Sequence, residues 1–92
     1  MIVRVMGEGQ YRIESGLFDA LNAIDNRIVE HVQKGDRPAF EQDLAALIAE
    51  VKRCGQPIAD TELVESDIIV PPADMSLDEA RDVFKGAGLF EG

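Results

Sequence analysis

His31 and Cys54 are the only histidine and the only cysteine among 92 residues, so imidazole or thiol chemistry has to pass through them. A thiol becomes a nucleophile when a neighbouring base or positive charge draws off its proton, so a thiol enzyme built on this chain would have to bring these two side chains together. The spacing points the other way. His31 lies beside the apolar stripe of a helical segment, not four residues from another ligand, and a catalytic zinc ion usually takes three protein ligands. Cys54 falls at the end of a second helical segment, next to the Leu47 and Val51 positions, where a small half-buried hydrophobe is expected. A single cysteine rules out an intrachain disulfide and a cysteine-built structural zinc site.

The other candidates for catalysis are also explained by structure. Ser15 and Ser76 stand at helix starts, and Ser66 precedes an extended run, with no nucleophile-elbow pattern around any of them. Gly7-Glu8-Gly9 has Arg12 where a dinucleotide loop needs its third glycine, and Gly86-Ala87-Gly88 has its next glycine one residue late. The 18 acidic residues show no spacing that picks out a catalytic pair. The expectation is a protein without catalytic residues, cofactor or metal.

Two local features invite a binding role. If Gly7-Glu8-Gly9 forms the loop of a hairpin, Val5 faces Tyr11, Val3 faces Ile13, and Arg4 faces Arg12. Such a like-charge pair is unfavourable unless an acid lies between the two, and the acid is either Glu14 or another group of this chain, or an acidic side chain of a partner. Asp25 interrupts the helical arc spanned by Phe18, Val29 and Val32, which places it at the solvent edge or in a protein interface. Arg4, Gln10, Arg12 and Asp25 are therefore the candidate partner-binding residues.

These residues depend on elements that the sequence also predicts. Residues 1–14, β-branched and aromatic around Gly7-Glu8-Gly9, read as a β-hairpin; a two-residue loop would pair Val5 with Arg12 and break its apolar face. From Leu17 the spacing becomes helical, with Leu17, Leu21, Ile24 and Ile28 on one stripe and Phe18, Val29 and Val32 widening it. A helix over 16–34 follows, with Ser15 suited to cap its start and Gly35 to follow its end. Asp36 then caps a second helix over 37–54, whose buried stripe is Phe40, Leu44, Leu47, Ile48 and Val51. Two helices of about 17 residues, each near 26 Å long, have to fold back antiparallel across so short a turn. Residues 67–70 form a short extended segment or edge strand, closed by Pro71-Pro72, with its neighbours in a loop. Ser76-Leu77-Asp78-Glu79 has the form of a capping box and starts a third helix over 77–85, with Leu77, Ala80, Val83 and Phe84 at helical spacing. Residues 86–92 read as a flexible or loosely docked tail. The fold class is α+β, mainly α, in one domain over 1–92.

Charge narrows the partners. The net charge is −9, and residues 1–54 carry 9 acidic and 7 basic groups while residues 55–92 carry 9 and 2. That balance repels a phosphate backbone, so nucleic-acid binding is not expected. No stretch approaches the roughly 20 apolar residues of a spanning helix, and the first six residues reach charge and glycine too soon for a signal peptide. With no disulfide to form, a reducing cytoplasm is the expected setting, without direct membrane insertion.

Met1-Ile2-Val3-Arg4-Val5-Met6-Gly7-Glu8-Gly9-Gln10-Tyr11-Arg12 resembles the start of the PspAA family, and Ser66-Asp67-Ile68-Ile69-Val70-Pro71-Pro72-Ala73-Asp74 resembles its later motif. The helical pair and the Leu77-Asp78-Glu79-Ala80 segment also fit, so the resemblance covers nearly the whole chain. It implies a small, mainly three-helical domain encoded beside PspA, a coiled-coil protein that maintains stressed membranes. It implies a PspA-like partner and recruitment to the inner face of the membrane through it, but no active-site residues. Two rival readings are a small enzyme or metabolite-binding domain with its site between hairpin and helices, and a structural homodimer that uses the wide stripe of the first helix.

Overall fold

The computed structural model describes residues 1–59, 61–62, 64–84 and 88–89. Four short strands run at Ile2–Val5 (β1), Gly9–Arg12 (β2), Gln56–Ile58 (β3) and Ile68–Val70 (β4), with helices at Phe18–Lys34 (α1), Arg37–Cys54 (α2) and Leu77–Val83 (α3). The strands form one sheet in the order β3-β2-β1-β4, antiparallel except for the parallel pair β1 and β4. The α+β, mainly α expectation holds.

The hairpin forms, but its loop lies one residue earlier than the sequence predicts, which shifts the cross-strand pairing by two. Met6, Gly7 and Glu8 make the turn, and Val5 pairs with Gly9, Val3 with Tyr11, Arg4 with Gln10 and Ile2 with Arg12. Gly7 at φ 85° supplies the left-handed residue, and the Glu8 N–H closes the turn on Val5 O at 2.9 Å. A slip of two residues preserves the side-chain alternation. Val3, Val5 and Ile13 therefore still share the buried face, and hydrophobicity alone could not separate the two registers.

The helical hairpin follows the predicted boundaries closely. A single 3₁₀ turn at Ser15–Leu17 precedes α1, and no side chain caps either start, so Ser15 does not play the capping role expected of it. Gly35 ends α1 in the left-handed conformation, and the Ala39 N–H donates to Asp36 Oδ1 at 3.3 Å at the start of α2. All five predicted stripe residues of α2 are buried, as are Leu21, Ile24, Ile28, Val29 and Val32 of α1, while Leu17 and Phe18 are half-buried. These residues join Val3, Val5, Ile13 and Val70 of the sheet in one continuous apolar cluster. Each fully buried large aliphatic side chain contributes about 1.5–3 kcal/mol.

The segment after α2 is more regular than a loop. β3 pairs with β2 through Gln10–Ile58, Tyr11–Pro57 and Arg12–Gln56, and this edge position tolerates Pro57 because one side of the strand has no neighbour to bond. The predicted extended segment is the other edge, β4, aligned with β1 through Val3–Ile68, Arg4–Ile69 and Val5–Val70. At the start of α3, Ser76 and Glu79 form the expected reciprocal capping box. Ala80 and Phe84 face the core, and the Phe84 ring meets Phe40 edge-on with centroids 6.3 Å apart. Val83, expected on that stripe, is instead 37% exposed. The predicted end of this helix at 85 and most of the predicted tail lie outside the described residues.

Candidate functional site

Sheet register determines what Arg4, Gln10 and Arg12 can do. All three lie on the sheet face opposite the core, but Arg4 stands across from Gln10 and Arg12 across from Ile2, so the two guanidinium groups are not direct cross-strand partners. The expected like-charge pair is therefore replaced by two exposed arginines on either side of a glutamine. Gln10 is 8% exposed, and its amide nitrogen donates to Val64 O at 3.0 Å and Ser66 Oγ at 2.8 Å. Those bonds hold the chain ahead of β4 against the outer face of the sheet. Asp67 continues the seam, its carboxylate accepting from the Ile2 N–H at 2.7 Å and its own N–H donating to Ile2 O at 2.8 Å.

Asp25 is not at a solvent edge. Its exposure is 0%, and its carboxylate accepts from the backbone N–H of Leu89 at 3.1 Å. A buried carboxylate must be satisfied by hydrogen bonds. The backbone around Leu89 helps do so, and Leu89 packs on the core. Gly88 comes so close that a Cβ there would sit 2.5 Å from Asp25 Oδ2. Part of the predicted tail is therefore docked, and the acid that interrupts the α1 stripe is its anchor.

His31 and Cys54 are kept apart by the helical hairpin. His31 Nδ1–H donates to the Asp43 carboxylate at 2.6 Å, and Arg27 Nε lies 3.6 Å from the other oxygen of the same group. This half-buried cluster ties α1 to α2, a link not found in the sequence because Asp43 lies on a different helix. Cys54 lies eleven residues beyond Asp43, roughly 16 Å along α2 at 1.5 Å per residue. It sits 3.6 Å from Glu50 Oε2. A hydrogen bond from Arg53 holds the Glu50 carboxyl below its ordinary value, and one from Lys34 does the same for Glu30. Glu8 raises the Lys52 ammonium through a 2.6 Å contact that joins the β1–β2 turn to the last turn of α2. Among the described residues no three His, Cys, Asp or Glu side chains are grouped to hold a metal ion, and no helix is long and apolar enough to cross a membrane.

An open apolar groove of about 400 Å³ lies beside β4, lined by Met6, Ile69, Pro71, Pro72, Met75 and Val83. Ile69 faces away from the core because it alternates with the inward-facing Ile68 and Val70. The two prolines carry the chain out of the sheet, and the short α3 returns Val83 to the same place. The sequence contained the run Ile68-Ile69-Val70-Pro71-Pro72, but the convergence of Met6 and Val83 on it depends on tertiary structure.

No curated protein and no solved structure matches the chain. A family model described as PspA-Associated protein matches residues 1–92, from the first strand through the segment docked on Asp25. The chain therefore belongs to the PspAA family of PspA-associated proteins.

Proposed function

We propose that residues 1–92 act as one non-enzymatic adaptor domain that binds a PspA-like coiled-coil protein and tunes it in the membrane (envelope) stress response. The observation that carries this reading is the family match over the whole chain, under a description that names association with PspA. The separation of His31 from Cys54 supports it, because a thiol enzyme needs those two groups together. The exposed apolar groove also supports it, since a surface of this kind favours protein contact. In this reading the domain works in the cytoplasm and reaches the inner face of the membrane through its partner, because a chain of net charge −9 is repelled by anionic lipid. Arg4 and Arg12, exposed on the outer sheet face, are positioned to meet acidic side chains of that partner.

The test is co-purification. A tagged form of this chain should retain the PspA-like protein of the same cell at low and moderate salt. Failure of purified components to associate at any salt concentration would overturn the direct-binding reading.

A further inference from the structure

Among the described residues the large apolar side chains that stay exposed are Met6 at 47%, Ile69 at 53% and Val83 at 37%, and all three line the same groove. They come from the β1–β2 turn, from β4 and from the end of α3, so no local run of hydrophobic sequence explains their meeting. Methionines at 6 and 75 give the groove adaptable walls. Charge decides what the groove accepts. Exposed Asp74 and Asp82 immediately precede the lining residues Met75 and Val83, and Glu79 shares a face of α3 with Val83 one turn away. Arg4, exposed, is the cross-strand neighbour of Ile69 in the sheet register. A second copy of this chain would bring the same acidic side and a net charge of −9 to the contact, which disfavours self-association.

We infer that this groove is the docking surface for a partner segment that inserts apolar side chains between Ile69, Met75 and Val83 and sets lysine or arginine against Asp74, Glu79 and Asp82. The inference rests on the adaptor reading for the identity of the partner, but not for the chemistry of the groove.

The three methionines provide the measurement, because Met6 and Met75 line the groove while Met1 lies at the other end of β1. The probes are two synthetic amphipathic helices of about 18 residues, one with leucines on one face and lysines elsewhere, the other with glutamates in place of the lysines. In methyl-labelled protein the lysine peptide should shift the Met6 and Met75 signals and leave Met1 unmoved, and the glutamate peptide should not. Ile69→Glu should raise Kd for the lysine peptide by about tenfold or more. The exposed pair Asp74→Lys and Asp82→Lys should weaken it without touching the groove walls.

Equal response to both peptides, no response to either, or undiminished binding by both variants overturns the inference. A concentration-dependent shift of Met6 and Met75 without peptide, with a doubled mass in light scattering, also overturns it in favour of a second copy. Retention of the PspA-like protein by Ile69→Glu at wild-type strength would defeat the groove while the adaptor reading stands. Peptide binding in the groove without retention of that protein would do the reverse.

Discussion

The backbone N–H of Leu89 donates to Asp25 Oδ1 at 3.1 Å, joining the middle of α1 to a segment 64 positions further along the chain. The carboxylate has no exposure to water, so the docked backbone stands in for solvent. Asp25→Ala should release residues 88–89 and destabilise the fold by about 1–3 kcal/mol, the usual cost of breaking a buried hydrogen bond on one side. Gly88→Ala should loosen the same contact, since φ there is 81° and the added carbon would collide with the carboxylate. Amide exchange at Leu89 reports on both variants, and unchanged protection would show that the contact holds nothing in place.

Leu44 lies at the centre of the α2 stripe with no exposed surface. Leu44→Ala should cost about 2–5 kcal/mol, the range for a buried leucine truncated where the surroundings collapse only in part. An unchanged melting temperature would contradict the core assignment.

At the start of α3 the Ser76 hydroxyl accepts from the Glu79 N–H at 3.2 Å while Glu79 Oε1 accepts from the Ser76 N–H at 3.3 Å. Ser76→Ala should cost about 0.5–2 kcal/mol. Because α3 is short and carries Phe84 onto Phe40, the loss should appear as faster exchange along 77–83 and not along α1 or α2. Uniform loss of protection would mean that α3 does not open separately.

Glu30 and Glu50 have carboxyls held below their ordinary value of 4.5 by hydrogen bonds from Lys34 and Arg53. A depressed folded-state pKa gives stability that is present above the unfolded value and lost as pH falls through the folded one. Wild type should therefore exceed the double variant Glu30→Gln, Glu50→Gln in denaturant midpoint at neutral pH, by a small amount because both groups are on the surface. The difference should shrink as pH falls below 4.5 and through the lowered folded-state values. A gap of the same size in acid would trace to helix propensity, not to charge.

How much of this structure the sequence reveals depends on the range of each signal. Helix periodicity, the Asp36 cap, the Gly35 terminus and the Ser76–Glu79 box are local, and the structure reproduces them. The hairpin register is ambiguous because pairings two residues apart bury the same side chains, and only the turn around Gly7 decides between them. The three-residue β3 is too short to show alternation, and Pro57 disguises it. Among the candidate contact residues, Gln10 and Asp25 are committed within the chain, to Val64 and Ser66 and to Leu89, through pairings that no short window of sequence contains. The groove was missed for the same reason. Met6, Ile69 and Val83 each look ordinary until the fold brings them together.

The parallel pairing of β1 with β4 imposes an order of assembly. β2 reaches β1 across a three-residue turn, but the strand on the other side is not made until residues 68–70 have been added. At about 5–20 residues per second of synthesis, one flank of β1 waits roughly 3 to 13 s for its partner. A bare strand edge is a template on which other nascent chains can pair, and a charge along it discourages them. Arg4, exposed in the finished protein and central in that waiting strand, is such a charge. The residue beside Ile69 in the folded sheet thus also places a charge on the strand that is made first, where it disfavours pairing with other nascent chains.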